Sequence, residues 1–453
     1  MNKLKFYSLM FMPYPFIPPA EGLPSTWVNL PNSYYDPKIG HRLYSEYLEL
    51  NVLTEKLGYD GVLVNEHHQT AYGTMPSPNI MASNIVARTE RIPVGVIGNA
   101  LPLHGNPMRV AEEIAMLDVI SGGRIISGFV RGTGNEYHSY GIDPSTSRER
   151  FWEAHDLIIK SWTEPGPFAW EGKYFHLPYV NPWPRPLQQP HPPIWLPGFA
   201  SLETIDEAAK RRYTFMQVFS PRVVLKKALD TYRRLAEEKY GYEATRDQLG
   251  AAIVIYVAET DEQAHREARP HVTWLFREGL KHPPYFAIPP GYQSKQSFKN
   301  FLGTIIEKGI PDIYDLTYDF LIENGYAIVG SPDTVIEQLT KLTDELGTGV
   351  VTGAGGQWGA MPHWMAIKNM TLMAEEVMPH FRDPDGKPVW AKEERLGKFT
   401  LTEHAATVGK PAIDPSIPWD NGTRVDPRIA HLPELLDEAL ASGDGAAVER
   451  TPT

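Results

Sequence analysis

Short runs of apolar and β-branched residues alternate along this chain with longer stretches whose apolar positions recur every three to four residues. That rhythm belongs to βαβ units built around a parallel sheet. Eight strands are predicted: "KFYSLMF" (5–11), "GVLV" (61–64), "IPVGVIG" (92–98), "RIISGFV" (124–130), "PIWL" (193–196), "TFMQVF" (214–219), "AAIVIYVA" (251–258) and "GVVTG" (349–353). Between them the period lengthens to that of amphipathic helices at 43–58, 106–123, 147–162, 202–212 and 332–347. Asn106 before Pro107 and Ser331 before Pro332 are predicted helix starts, because a capping side chain followed by proline suits the unpaired donors of a first turn. Gly58, Gly122 and Gly347 are the matching stops. Eight strands with intervening helices favour a (β/α)8 TIM barrel over a doubly wound sheet.

Three stretches exceed a bare barrel, which is assigned to residues 1–380. Residues 164–193, rich in Pro and Trp, form one long insertion, and 280–320 form a second. Loops of this length, when ordered, often serve as lids. From 381 to 453 runs a C-terminal extension rich in Pro, Asp, Gly and Ala, with one helical patch at 432–441. It is expected to wrap a subunit surface or to end without fixed structure.

Composition removes several classes of function. With 453 residues, 42% of them hydrophobic and 22% charged, the chain buries a large globular core. A formal net charge of -12 argues against nucleic acid or an anionic membrane as partner, since both need a basic face. Nothing reads as a membrane span. The N-terminal apolar run is broken by Pro13, Pro15, Pro18 and Pro19, so it reads as the first strand and not as a signal peptide. The absence of cysteine excludes disulfides, thiolate metal sites and thiol nucleophiles, and fits a cytoplasmic protein.

In a parallel barrel the chemistry sits on the loops after the strands. Strand two ends in "VLVNEHHQT" (62–70), an apolar run that delivers Glu66, His67 and His68 to the rim. Adjacent extended residues point to opposite sides, so the two histidines are poorly placed to share a metal ion, and no metal is expected. They could move protons, or one could simply cap the loop. Polar, glycine-rich segments follow the next three strands: "NALPLHGNP" (99–107), "RGTGNEYHSYGID" (131–143) and "PGFASLET" (197–204). Together they describe a rim with histidine, anion-binding arginine and close-approach glycines.

Five blocks, "GYDGVLVNEHH" (58–68), "NPMRVAEEIAMLDVISGGRIISGFVRG" (106–132), "YGIDPSTSRERF" (140–151), "PIWLPGFASLETIDEAAKRR" (193–212) and "VGSPDTVIEQL" (329–339), resemble in order the bacterial luciferase-like family of flavin-dependent monooxygenases. The resemblance covers most of residues 4–380. It implies a (β/α)8 barrel, usually a homodimer, that takes reduced FMN from a separate NAD(P)H:flavin reductase. With O2 such enzymes insert one oxygen atom into a small organic substrate through a flavin C4a-hydroperoxide. The resemblance places the catalytic histidine at His67 and the FMN phosphate between Arg131 and Arg148. Gly198, Ala200, Ser201 and Thr204, after strand five, complete that phosphate site at a helix start, while Glu66 and Asn99 flank the cofactor. It also implies a non-proline cis peptide within "IGN" (97–99). Luciferase has a thiol before the strand-four arginine, where this chain has Val130. Phe11, Tyr14, Trp183, Trp358 and Trp364 are candidates for a dry pocket. Two other functions share the fold: a deazaflavin-dependent hydride-transfer oxidoreductase, and a non-catalytic partner subunit. The paired arginines favour FMN over the first, and His67 retained beside them argues against the second.

Overall fold

The chain closes into a parallel barrel in this computed structural model, which describes residues 3–18, 25–199, 201–308, 316–354, 356–383 and 388. Its strands are β1 (Lys5–Leu9), β2 (Gly61–Val64), β3 (Val94–Ala100), β4 (Ile125–Val130), β5 (Phe168–Glu171), β6 (His176–Val180), β7 (Ile194–Gly198), β8 (Thr214–Val218), β9 (Leu249–Val257), β10 (Ala327–Gly330) and β11 (Val350–Ala354). Eight of them form the ring β1–β2–β3–β4–β7–β8–β9–β11, with β11 pairing back onto β1. These are the eight predicted strands. Sequence patterning missed β10, a four-residue strand that pairs only with the far half of β9, from Val254 to Val257. It also missed the β5–β6 hairpin, which lies inside the 164–193 insertion.

The helices are α1 (Pro37–Lys56), α2 (Pro78–Arg88), α3 (Met108–Ser121), α4 (Gly134–Tyr140), α5 (Ser147–Thr163), α6 (Leu202–Arg211), α7 (Arg222–Arg234), α8 (Asp261–Trp274), α9 (Pro284–Ala287), α10 (Lys295–Lys308), α11 (Tyr318–Glu323), α12 (Pro332–Leu346) and α13 (His363–Leu372). The predicted boundaries follow from their caps. Asn106 accepts from the Met108 amide at 2.9 Å, Ser331 accepts from Thr334, and Gly122 and Gly347 close α3 and α12 in the left-handed conformation. Helix α8 escaped prediction because it buries only Ala264, Ala268 and Val272, a stripe too slight to stand out from its charged neighbours.

The core lies between the ring and its helices. All nine residues of β9 are buried, so this strand carries no alternation of polar and apolar positions, as expected for a strand covered on both faces. The register of β3 on β4 shifts between Ile97 and Asn99. Gly128 permits that approach, since a Cβ there would lie 2.5 Å from the Ile97 Cα. All peptide bonds of 97–99 are trans, and the cis bonds among the described residues are Gly166–Pro167, Trp183–Pro184 and Gln189–Pro190.

The described part of 280–320 is not an open loop but the helices α9 and α10 with the turn between them. It lies against α4, where Gly134 faces the Phe286 and Ala287 carbonyls. At the opposite end of the barrel, Phe381 is buried and Arg382 pairs with Asp60 at 2.9 Å, so these residues still belong to the barrel. The patch at 432–441 lies outside the described residues. Among the described residues, no helix is long and apolar enough to cross a membrane.

Candidate active site

Because the ring strands are parallel, the polar segments after β2, β3, β4 and β7 share one rim. Beneath it, Glu66 is buried and fully engaged. One carboxylate oxygen accepts from His68 Nε2 at 2.7 Å; the other accepts from the Ala100 amide at 3.0 Å and faces His104 Nε2 at 3.4 Å. Burial pushes this carboxyl up, but the hydrogen bonds from His104 and His68 outweigh it and hold the pKa at about 2. With Nε2–H committed to Glu66, His68 Nδ1 accepts from the Tyr140 hydroxyl at 2.8 Å. Asn99 is equally committed, exchanging amide hydrogen bonds with Asn79 at 3.1 and 3.3 Å. Glu66 and Asn99 therefore tie β2, β3 and α2 together through protein partners.

His67 has different company. Its Nδ1 lies 3.0 Å from Glu136 Oε1, and the ring packs among Trp27 and Tyr72 with centroids 5.4 and 5.0 Å away. Only 16% of its side chain is exposed, while Glu136 is 1% exposed. Phe11 extends this aromatic wall, touching Tyr72 at 5.4 Å and Phe219 at 5.2 Å between centroids. Trp27 is held there by its indole N–H, which donates to the Gly279 carbonyl at 2.5 Å. The neighbouring histidines thus end in separate networks, and no cluster of three metal-ligating side chains occurs among the described residues. Three non-glycine residues in the left-handed region, Met12, Gln69 and Phe219, follow β1, β2 and β8 on this rim. Such residues cost about 1–3 kcal/mol each and collect where a site demands them.

The second cluster gathers where α6 begins. Arg131, after β4, donates to the Tyr292 carbonyl at 2.8 Å and to Ser147 Oγ at 3.3 Å, and its guanidinium carbon lies 4.2 Å from the centre of the Tyr292 ring. Arg148, near the start of α5, has Nη1 3.5 Å from Glu203 Oε2. Its Nη2 is buried and, among the described residues, has no hydrogen-bond partner. Burial lowers the pKa of this guanidinium, and repulsion from Arg131 lowers it further. Ser201 Oγ donates to Glu203 at 3.0 Å, and Ser297 of α10 donates to the same oxygen at 2.5 Å. Burial raises the Glu203 carboxyl, but hydrogen bonds from Ser294 and Ser297, with Arg148 nearby, bring it down to about 2. Thr204 sits one residue further along the first turn of α6. Arg148 thus faces the Glu203 carboxylate with a second cation, Arg131, beside it, and among the described residues one of its buried N–H donors is left over. A phosphate fits that arrangement in charge and in donor type, and α6 adds its positive N-terminus.

Arg131, Arg148, Ser201 and Thr204 are therefore brought together as expected. Ala200 lies outside the described residues. A Cβ at Gly198 would meet only the Phe215 ring at 3.4 Å and Thr204 at 3.6 Å, so the protein's own packing does not demand glycine there. Trp183 and Trp364 are 83% and 59% exposed and do not line a dry pocket, because one lies in the 164–193 insertion and the other on the outer face of α13. Trp358 packs against Tyr256 inside the core. Sequence reading passed over Glu136, Glu203, Trp27 and Tyr72. For Glu136 a signal existed, since "TGNE" (133–136) has the spacing of a capping box.

Comparison with known proteins identifies the family and the fold. The luciferase-like monooxygenase family model matches residues 31–349. Limonene 1,2-monooxygenase of Rhodococcus erythropolis is 26% identical over 352 residues, covering 74% of this chain and 80% of that protein. Among solved structures, the oxygenating constituent of 3,6-diketocamphane monooxygenase from Pseudomonas putida, a type II Baeyer-Villiger monooxygenase in complex with FMN, aligns with a TM-score of 0.62 at 22% identity, covering 84% of this chain and 99% of that one. The coenzyme F420-dependent tetrahydromethanopterin reductase of Methanopyrus kandleri aligns with a TM-score of 0.56 at 18% identity, covering 84% of this chain and all of that one. At such identities the two structural likenesses concern the fold. The family match spans well over half of the residues, and the chain belongs to the luciferase-like monooxygenase family.

Proposed function

We propose that this chain is the oxygenase component of a two-component monooxygenase, one that uses reduced FMN and O2 to insert an oxygen atom into a small organic substrate. The observation that carries the reading is the buried, unpartnered Nη2 of Arg148 beside Arg131 at the start of α6. Arg131, Arg148, Ser201 and Thr204 would hold the phosphate. When bound, reduced FMN would supply the electrons that activate oxygen, and a separate NAD(P)H:flavin reductase would deliver it already reduced.

The chain's own residues carry the rest. His67 holds or moves a proton at Nε2 while Nδ1 is engaged with Glu136. Phe11, Trp27 and Tyr72 exclude water beside it, so that oxygen is not lost as hydrogen peroxide. The described part of 280–320 joins the phosphate cluster through Tyr292 and Ser297, contacts that support reading it as a cover over that end of the site.

The test is anaerobic titration with reduced FMN followed by oxygen, with hydrogen peroxide and oxygenated product measured separately. His67→Gln should fold and bind reduced FMN, yet release most of the consumed oxygen as peroxide. A chain that instead ignores FMN and turns over anaerobically with a deazaflavin would replace this reading with the hydride-transfer one.

A further inference from the structure

We infer that Glu136 is a positioning residue that fixes the tautomer of His67, an inference that rests on the reading of His67 as the proton-handling group. The two oxygens of Glu136 have separate tasks. Oε2 accepts from the Thr133 amide at 2.7 Å and closes the first turn of α4. That bond alone completes the cap, yet Oε1 is also buried, and it meets Nδ1 of His67 at 3.0 Å. A carboxylate oxygen can only accept, so Nδ1 carries the proton, and in the neutral ring Nε2 is left with its lone pair. No hydrogen-bond partner of Nε2 occurs among the described residues, whereas Nδ1 has this one.

Glu136 is itself held before it meets the histidine. The Thr133 amide fixes its far oxygen, and Gly132 stands so close, at φ +81°, that a Cβ there would lie 3.0 Å from Oε2. Only 1% of the side chain is exposed, so no water competes for Oε1. The ring of His67 is clamped from its other sides by Trp27 and Tyr72, which leaves the imidazole little freedom to choose another partner. Its neighbour His68 shows the opposite choice: there Nε2 meets the carboxylate and Nδ1 takes the Tyr140 hydroxyl. The structure thus gives two adjacent histidines opposite tautomers, each set by its own buried glutamate. For His67 the consequence is that Nε2 can accept a proton and then return it, while the carboxylate steadies the ring in both states.

Glu136→Gln separates this task from the cap. The amide oxygen still accepts from Thr133, but the amide N–H2 now faces Nδ1, which must accept and so shifts the proton to Nε2. The experiment uses the full chain with histidine labelled by the heavy nitrogen isotope and His67→Gln as the assignment control. Long-range proton–nitrogen spectra should show a protonated Nδ1 for native His67 and a protonated Nε2 in Glu136→Gln. In steady-state assays Glu136→Gln should lower product formation by roughly ten- to a hundredfold, the usual loss when a partner that orients a functional imidazole is removed. Peroxide release should rise to match, while affinity for reduced FMN stays the same. The same tautomer in both proteins, or a switched tautomer with unchanged coupling, would overturn the inference. If His67→Gln uncouples but Glu136→Gln does not, the positioning role falls and the monooxygenase reading stands. If no oxygenation occurs with any flavin, the functional reading falls, and the spectra alone then decide whether Glu136 sets the tautomer.

Discussion

Replacing Arg148 by alanine separates cofactor recognition from folding. In the structure this guanidinium makes one long contact, 3.5 Å to Glu203, and keeps Nη2 buried without a partner among the described residues. It is not a solvent-facing rim charge, because only 24% of the side chain is exposed. A bound phosphate would give Nη2 a charge-assisted hydrogen bond, of a kind that contributes roughly 1.5–3 kcal/mol. Arg148→Ala should therefore weaken reduced FMN by about ten- to a hundredfold. Riboflavin, which lacks the phosphate, should lose little. Stability should change only slightly, since removing the arginine forfeits a partly exposed ion pair but relieves its burial and its repulsion from Arg131. Anaerobic fluorescence titrations with both reduced flavins, alongside thermal melting, measure all three quantities. Equal losses for FMN and riboflavin would refute the reasoning and make Arg148 a support of the α5–α6 contact.

Tyr292→Ala should weaken FMN by only a few-fold, less than Arg148→Ala, because it frees Arg131 from a ring contact of the kind that contributes roughly 0.5–2 kcal/mol but leaves its charge in place; the same titration checks it. Glu66→Ala should lower the melting temperature by several degrees, since His68 Nε2–H and the Ala100 amide lose their acceptor and each buried donor costs roughly 1–3 kcal/mol. The Glu66 carboxyl has a folded pKa of about 2 against an ordinary 4.5, so its contribution is fully present above pH 4.5 and is lost as the pH falls toward 2. Native and Glu66→Ala melting temperatures should accordingly converge over that window; a difference that stays constant down to pH 2 would show that the ionised carboxylate is not what stabilises the loops. Hydrogen exchange within 286–298 should slow when reduced FMN binds, because Tyr292 and Ser297 attach that segment to the cluster a phosphate would join; unchanged exchange would mean the segment is not part of the site.

The barrel strands were legible because each is a short apolar run bounded by turn residues, and burial on both faces makes such runs stand out without any alternation. Helix α5, with its large apolar stripe, and α12, which adds explicit caps, were equally plain. The pattern failed where the stabilising contacts are long-range. Helix α8 buries only small residues, and β10 exists because the end of β9 offers it an edge. The peptide bonds of 97–99, expected to include a cis one, are trans, and the register shift found there is accommodated by Gly128 on another strand.

The site divides in the same way. Rim placement of Glu66, His67, Arg131 and Arg148 is already determined by the sequence, because parallel strands send every following loop to one end of the barrel. Which neighbour each side chain meets is not, since the partners are far apart along the chain. Glu136 reaches His67 from 69 residues away, and Tyr292 reaches Arg131 from 161. Only closure of the barrel brings those loops within hydrogen-bonding distance. Only burial then decides that Glu66 becomes an internal anchor, that Arg148 keeps a donor in reserve, and that His67 and His68 carry their protons on opposite nitrogens.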